Sequence, residues 1–175
     1  MATPELEMRA KASVAVLKAA IEIEEFGINF YTSLAGCIKD KTGAALFRSL
    51  AGDEKEHRRI IQKELDRLGQ LCDVSCVQPM HEYLKIIPQK VFTPPPGACL
   101  TLVDEISALE TGIEVEENSR KMYSESLEMG GDEMTKRTLE SLVSWEIKHK
   151  QILEENLRNL RLEGTWYGYS PILEG

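Results

Sequence analysis

Histidine is scarce in this 175-residue sequence, with 3 residues, and cysteine nearly so, with 4. Cys37, Cys72, Cys76 and Cys99 are too few and too scattered for a secreted disulfide framework, so they read as reduced thiols. The C-x-x-x-C spacing of Cys72 and Cys76 is neither the C-x-x-C redox motif nor half of a four-cysteine metal knuckle, which leaves ordinary buried or loop thiols. Basic clusters are missing too. The net charge is −8 and Lys and Arg stand singly among acids, which argues against nucleic acid or an anionic membrane surface as a partner. The longest apolar run near the start, "ASVAVLKAAI", is interrupted by Lys18 and falls far short of a bilayer span. No leader with a basic end and cleavage site precedes it, so a cytoplasmic location is expected. Glycine-rich phosphate loops and Cys-His or Ser-His-Asp constellations are likewise missing.

What the chain has is helical periodicity. A single domain is expected over residues 1–175. Four long segments carry apolar residues at helical spacing, and none alternates like a strand, so the fold class is all-α. The first runs from about Ala12 to Gly36 with Val14, Leu17, Ile21, Ile28 and Tyr31 on one face. The second follows "KDKTG", where Asp40 or Thr42 can cap it, and presents Leu46, Phe47, Leu50, Ile61, Leu65 and Leu68. The third follows "TPPPGACL" with a capping-like Thr101 and Asp104, and continues through Leu102, Ile106, Leu109, Ile113 and Tyr123. "GGD" at Gly130 to Asp132 stops it and caps the fourth, which shows Leu139, Leu142, Val143, Leu153, Leu157 and Leu160 and ends near Gly164. The short connections within each pair predict antiparallel hairpins. The long stretch 70–99 between them predicts a crossover, and two hairpins so joined make a ferritin-like four-helix bundle.

The two hairpins are copies. A shift of 92 positions lays residues 12–69 over 104–161 without a gap from the first repeated carboxylate onward. It matches Glu22 with Glu114, Glu24 with Glu116, Glu25 with Glu117 and Tyr31 with Tyr123. Further on, Glu54 falls on Glu146 and His57 on His149. At 3.6 residues per turn, Glu24 shares a face with Leu17, Ile21 and Ile28, and Glu116 with Leu109, Ile113 and Tyr123. Glu22, Glu25, Glu114 and Glu117 rotate outward as solvated charges. Glu54 and His57 stand three apart on the apolar face of the second helix, as Glu146 and His149 do on the fourth.

Six metal-ligating side chains are therefore expected to converge inside an apolar bundle: Glu24, Glu54, His57, Glu116, Glu146 and His149. A buried, ionised carboxylate must neutralise itself or find a cation, and no lysine or arginine is repeated on these faces. Two divalent metals would balance four glutamates. One Glu from each of two helices plus a Glu-x-x-His from each of the others is the carboxylate-bridged di-iron pattern. Its oxygen-rich donors suit iron or manganese better than structural zinc. A single E-x-x-H signifies little, but here it occurs twice, each time 30 residues after an inward glutamate. Tyr31 and Tyr123 are expected to pack beside the site and hydrogen-bond a ligand carboxylate. His81, in the crossover and without a counterpart, reads as structural, and Trp145, opposite Asp53 in the duplication, as packing.

On these residues, over about Val14 to Leu160, the chain resembles the rubrerythrin group of the ferritin-like superfamily. The resemblance implies a site for two iron ions, Fe2+ and Fe3+ in turn, with manganese or zinc as other occupants. It implies Glu24 and Glu116 as terminal or chelating ligands, Glu54 and Glu146 as bridges, and His57 and His149 as one nitrogen ligand for each metal. The implied activity is reduction of hydrogen peroxide or dioxygen, a small-molecule oxidant. Electrons would come from an external electron-donor protein, because no paired C-x-x-C motifs follow the bundle as in the group's rubredoxin-type domain. The group also carries a further glutamate three residues after the third-helix ligand; here that residue is Ser119, with Gly27 opposite it in the duplication. Beyond them Ile28 pairs with Arg120, which is expected in a surface salt bridge. The alternative is a non-catalytic iron-binding, storage or sensing protein with the same di-metal site. A hairpin-built fold can also exchange halves between protomers, which makes a homodimer compatible with the pattern.

Overall fold

The computed structural model describes residues 4–85, 99–128 and 132–168. Four long helices dominate: α1 (Pro4–Cys37), α2 (Lys41–Leu68), α4 (Leu102–Glu128) and α5 (Glu133–Glu163). Between the hairpins lie a 3-10 turn (Val74–Cys76) and the one-turn α3 (His81–Leu84), and the described residues contain no strand. No helix among them is long and apolar enough to cross a membrane.

Capping residues set most of the helix ends. Asp40, not Thr42, caps α2, its side chain accepting from the N–H groups of Thr42 and Gly43. Thr101 and Asp104 cap α4 reciprocally: Asp104 Oδ2 accepts from Thr101 N and Thr101 Oγ1 from Asp104 N. Asp132 caps α5, and Gly164 ends it at φ 68 in the left-handed region. Gly130 and Gly131, the side chain of Cys76, and the "TPPPG" of the crossover lie outside the described residues. The start of α1 differs from expectation by two turns. Pro4 to Arg9 carry no apolar stripe in sequence, and Leu6 and Met8 are exposed. The segment is helical on local terms, with Arg9–Glu5 and Lys11–Glu7 pairs at i,i+4.

α1 packs on α2, and α4 on α5, more closely than one hairpin packs on the other. Contacts across the seam give its direction. Tyr31 meets Glu116 while Tyr123 meets Glu24, so numbering rises along α1 as it falls along α4. Glu54 faces His149 while His57 faces Glu146, so α2 and α5 are antiparallel too. α2 and α4 then run in the same direction, so the crossover joins opposite ends of the bundle. Its described part lies against α1: Met80 N donates to Ala15 O at 2.9 Å, and Lys18 Nζ donates to Val74 O and Val77 O at 2.6 Å each.

The core forms two apolar layers. One gathers Val14, Leu17, Ile61, Leu65, Met122, Tyr123 and Leu142. The other gathers Tyr31, Leu34, Phe47, Leu50, Leu109 and Leu153. Ile21, Ile28 and Ile113, expected on the central stripe, are only half-buried at its margin. On α1 the buried positions around the centre include Ala20, Glu24, Gly27 and Tyr31, and at Gly27 α2 approaches so closely that a Cβ would meet Glu54 Cγ at 3.2 Å.

The candidate metal centre

Between the two apolar layers lies a polar one. Glu24 on α1, Glu54 and His57 on α2, Glu116 on α4, and Glu146 and His149 on α5 are each 4% exposed or less. Glu54, His57, Glu146 and His149 each place a ligand atom within 4.8 Å of the others. The rings of His57 and His149 face one another, centroids 5.2 Å apart.

The oxygens divide between the histidines in a definite way. His57 Nδ1 lies 3.1 Å from Glu54 Oε2, 3.4 Å from Glu24 Oε2 and 3.6 Å from Glu146 Oε1. His149 Nδ1 lies 3.4 Å from Glu54 Oε1, 3.6 Å from Glu116 Oε2 and 3.6 Å from Glu146 Oε2. Glu54 and Glu146 each give one oxygen to either histidine. Glu24 serves only the His57 side and Glu116 only the His149 side. Two donors at right angles around a cation, each about 2.1 Å from it, stand about 3 Å apart, so spacings of this order suit shared ligation.

Burial makes these groups unstable without a positive charge. Glu24 Oε2, both oxygens of Glu146 and His149 Nδ1 are buried without a hydrogen-bond partner, and they all belong to the two oxygen-and-nitrogen sets. Burial first, then the charge of Glu54, pushes the Glu24 carboxyl up to about 8. Burial and the charges of Glu54 and Glu116 also raise Glu146 well above the carboxylate range. Burial works against the charged forms of His57 and His149, but the surrounding carboxylates outweigh it and raise both well above 6.5. For Glu54 burial acts upward, yet the neighbouring side chains of Glu24, His149 and His57 hold it well below 4.5. The metal-free site thus retains protons where a metal pair would supply charge, and the donor set fits such a pair.

Tyr31 and Tyr123 close the layer from opposite sides, and each reaches across the seam. The Tyr31 hydroxyl donates to Glu116 Oε1, and the Tyr123 hydroxyl to Glu24 Oε1. Both are wholly buried. Burial, then the charge of Glu116 for Tyr31 and of Glu24 for Tyr123, raises each hydroxyl well above 10, so both remain donors.

The outward glutamates have their own pattern. Glu22 and Glu114 are exposed. Glu25 pairs with Arg58 at 2.8 Å, and its duplicate Glu117 pairs with Lys150, the duplicate of Arg58, at 3.0 Å. Arg120 joins Glu117 at 2.6 Å in the expected surface salt bridge. Hydrogen bonds from Arg120 and Lys150 hold the Glu117 carboxyl down to about 2. His81 is exposed at the start of α3 and takes no part in the site. Trp145 packs as expected, but the sequence did not show against what, nor that Asp53 adjoins the site. Asp53 Oδ2 lies 3.3 Å from His149 Nε2, and Trp145 stacks on His57 with centroids 4.7 Å apart and planes 7° from parallel. Their signal was the duplication, which sets Asp53 opposite Trp145, but reading it needed the α2–α5 register.

A four-helix bundle with one long crossover and a Glu/His cluster able to hold metal defines a ferritin-like protein. The rubrerythrin family profile matches residues 15–157, and the chain belongs to that family. A solved hypothetical protein from Pyrococcus furiosus shares the fold, with a TM-score of 0.63 and 22% identity, over 85% of this chain and 90% of that one. No curated protein matches the chain.

Proposed function

We propose that this protein is a non-haem di-iron oxidoreductase that reduces hydrogen peroxide, or dioxygen, with electrons from a separate donor protein. The observation that carries the reading is the division of oxygens: Glu54 and Glu146 each present one oxygen to His57 and the other to His149. Glu24, Glu54, Glu146 and His57 would hold one ion, and Glu116, Glu54, Glu146 and His149 the other. Four carboxylates offset the four charges of a ferrous pair, whereas a pair of structural zinc ions would more commonly use thiolates or further imidazoles. When bound, two ferrous ions supply the two electrons that, with two protons, convert hydrogen peroxide to two waters.

The chain's own residues do the rest. Tyr31 and Tyr123 orient Glu116 and Glu24 through their hydroxyl hydrogens. The apolar layers around the tyrosines exclude bulk water, which strengthens each charge interaction inside. Glu24 and Glu146, raised by burial, can hold a proton whenever positive charge in the site falls.

The test is anaerobic loading with ferrous iron, a count of metal per chain, and stopped-flow mixing with peroxide or dioxygen. The expected result is two irons and an oxidised-iron absorption that forms fastest with peroxide. Two irons that react slowly with both oxidants would leave a metal-binding protein and refute the reductase reading.

A further inference from the structure

The two halves of the centre carry duplicated ligands, yet what stands behind each histidine differs. Both histidines turn Nδ1 toward the carboxylates. An Nδ1 that offers its lone pair to a cation must carry the ring proton on Nε2. A carboxylate at Nε2 fixes that tautomer, holds the ring and makes the ligating nitrogen more basic. His149 has such a carboxylate, with Asp53 Oδ2 at 3.3 Å from Nε2. At the duplicated position stands Trp145, whose indole lies flat on His57. A stacked indole locates a ring but adds no negative charge to it.

The surroundings of Asp53 and His149 are consistent with this. Asp53 is partly exposed, with 38% of its side chain accessible, while His149 is 1% exposed. The acid therefore keeps contact with water on one side while it reaches a buried ring on the other. The other carboxylates close to His149 are those of Glu54, Glu116 and Glu146, the groups already counted as ligands.

Building on the di-metal reading above, we propose that Asp53 is a positioning residue that makes the His149 side the tighter of two unequal metal positions. The pair then fills in order, the His149 side first. Directly before the Glu-x-x-His the duplicated half-sites differ, Asp53 in one and Trp145 in the other.

The experiment is anaerobic titration of the metal-free chain with Mn2+, followed by calorimetry and electron paramagnetic resonance. In the native chain the first equivalent gives the signal of an isolated ion, and the second converts it to that of a coupled pair. In Asp53→Asn, which keeps the shape and removes the charge, the stronger binding constant falls about 10–100-fold while the weaker stays within about twofold. Coupled pairs then form already at the first equivalent. Asp53→Glu retains the charge and recovers ordered filling, and Trp145→Phe leaves the order unchanged. A change in stability alone would not move the two constants separately. Equal constants in the native chain, or unchanged constants in Asp53→Asn, would overturn the role of Asp53 and leave the metal pair intact. A native chain that binds no pair would instead overturn the di-metal reading, and this proposal with it.

Discussion

Deleting Glu54 should damage the centre about twice as much as deleting Glu24, although both variants remove the same side chain from the same layer. Each position has four donors in the proposed assignment. Glu24→Ala reduces the His57 position to three and leaves the other complete. Glu54→Ala reduces both to three, because its two oxygens face different histidines. With free ferrous iron at 100 times its dissociation constant, each ion stabilises the fold by about 2.7 kcal/mol, so a pair contributes about 5 kcal/mol. Loss of a direct ligand should weaken an ion by at least the roughly 100-fold upper range for its supporting residues. At that free-iron level a 100-fold loss cuts one ion's contribution to about 0.4 kcal/mol. The native chain, Glu24→Ala and Glu54→Ala should then gain about 5, 3 and 1 kcal/mol on iron loading. At about 2–4 °C per kcal/mol for a chain of this size, the shifts in Tm are about 10–20, 6–12 and 2–4 °C. Anaerobic calorimetry with and without iron, paired with metal counts after desalting, reads this directly. Both deletions leave similar cavities, so their metal-free chains give the baseline. Equal losses in the two variants, or two irons retained in Glu54→Ala, would refute the division of oxygens.

Other outcomes follow from the same geometry. Tyr123→Phe removes a hydroxyl donor from the buried carboxylate of Glu24, at about 1.5–3 kcal/mol. It should weaken the ion beside His57, on the other hairpin, while Tyr31→Phe weakens the one beside His149; stepwise metal titration separates the two. The metal-free chain should lose stability as pH rises from about 5 to about 9, measured by calorimetry with chelator present. Glu24 is raised from 4.5 to about 8, so its contribution is complete below 4.5 and lost as pH climbs through 8. Glu146, His57 and His149 shift in the same direction, whereas the contribution of the lowered Glu54 is complete above 4.5 and is lost only as pH falls below it, outside this window. The segment after α5, 165–168, sets Trp166 against Phe47 of α2; Gly43→Ala would put a Cβ 2.4 Å from Trp166 Cε2 and should lift this tail off α2, exposing the indole to quenchers. The expected loss is about 1–2 kcal/mol net of improved helix propensity, with metal content unchanged.

That tail shows why part of the fold was hard to read. "GTWYGY" carries no period, yet Asn156 is fully buried and accepts from the N–H groups of Tyr167 and Gly168. Nothing in the sequence marks an asparagine on α5 as the anchor for a segment eleven residues later. The first two turns of α1 escaped notice for the opposite reason, being held by i,i+4 ion pairs with no apolar stripe to announce them. The helices that bury a face were legible, as were Asp132 and Gly164 at the ends of α5, because side-chain period and end chemistry are local properties.

The sequence by itself determined that this chain is all-α, that it consists of two copies of one hairpin, and which Glu and His residues recur on the inner faces. All three follow from spacing along one chain. Only the tertiary structure decided that Tyr31 serves Glu116 and Tyr123 serves Glu24, that Glu54 and Glu146 divide their oxygens between the histidines, and that Asp53 stands behind His149 and Trp145 on His57. These are contacts between helices, set by the antiparallel register of α1 on α4 and of α2 on α5. That register comes from how side chains far apart in the chain interlock across the seam, and a periodic pattern within one helix carries no information about it.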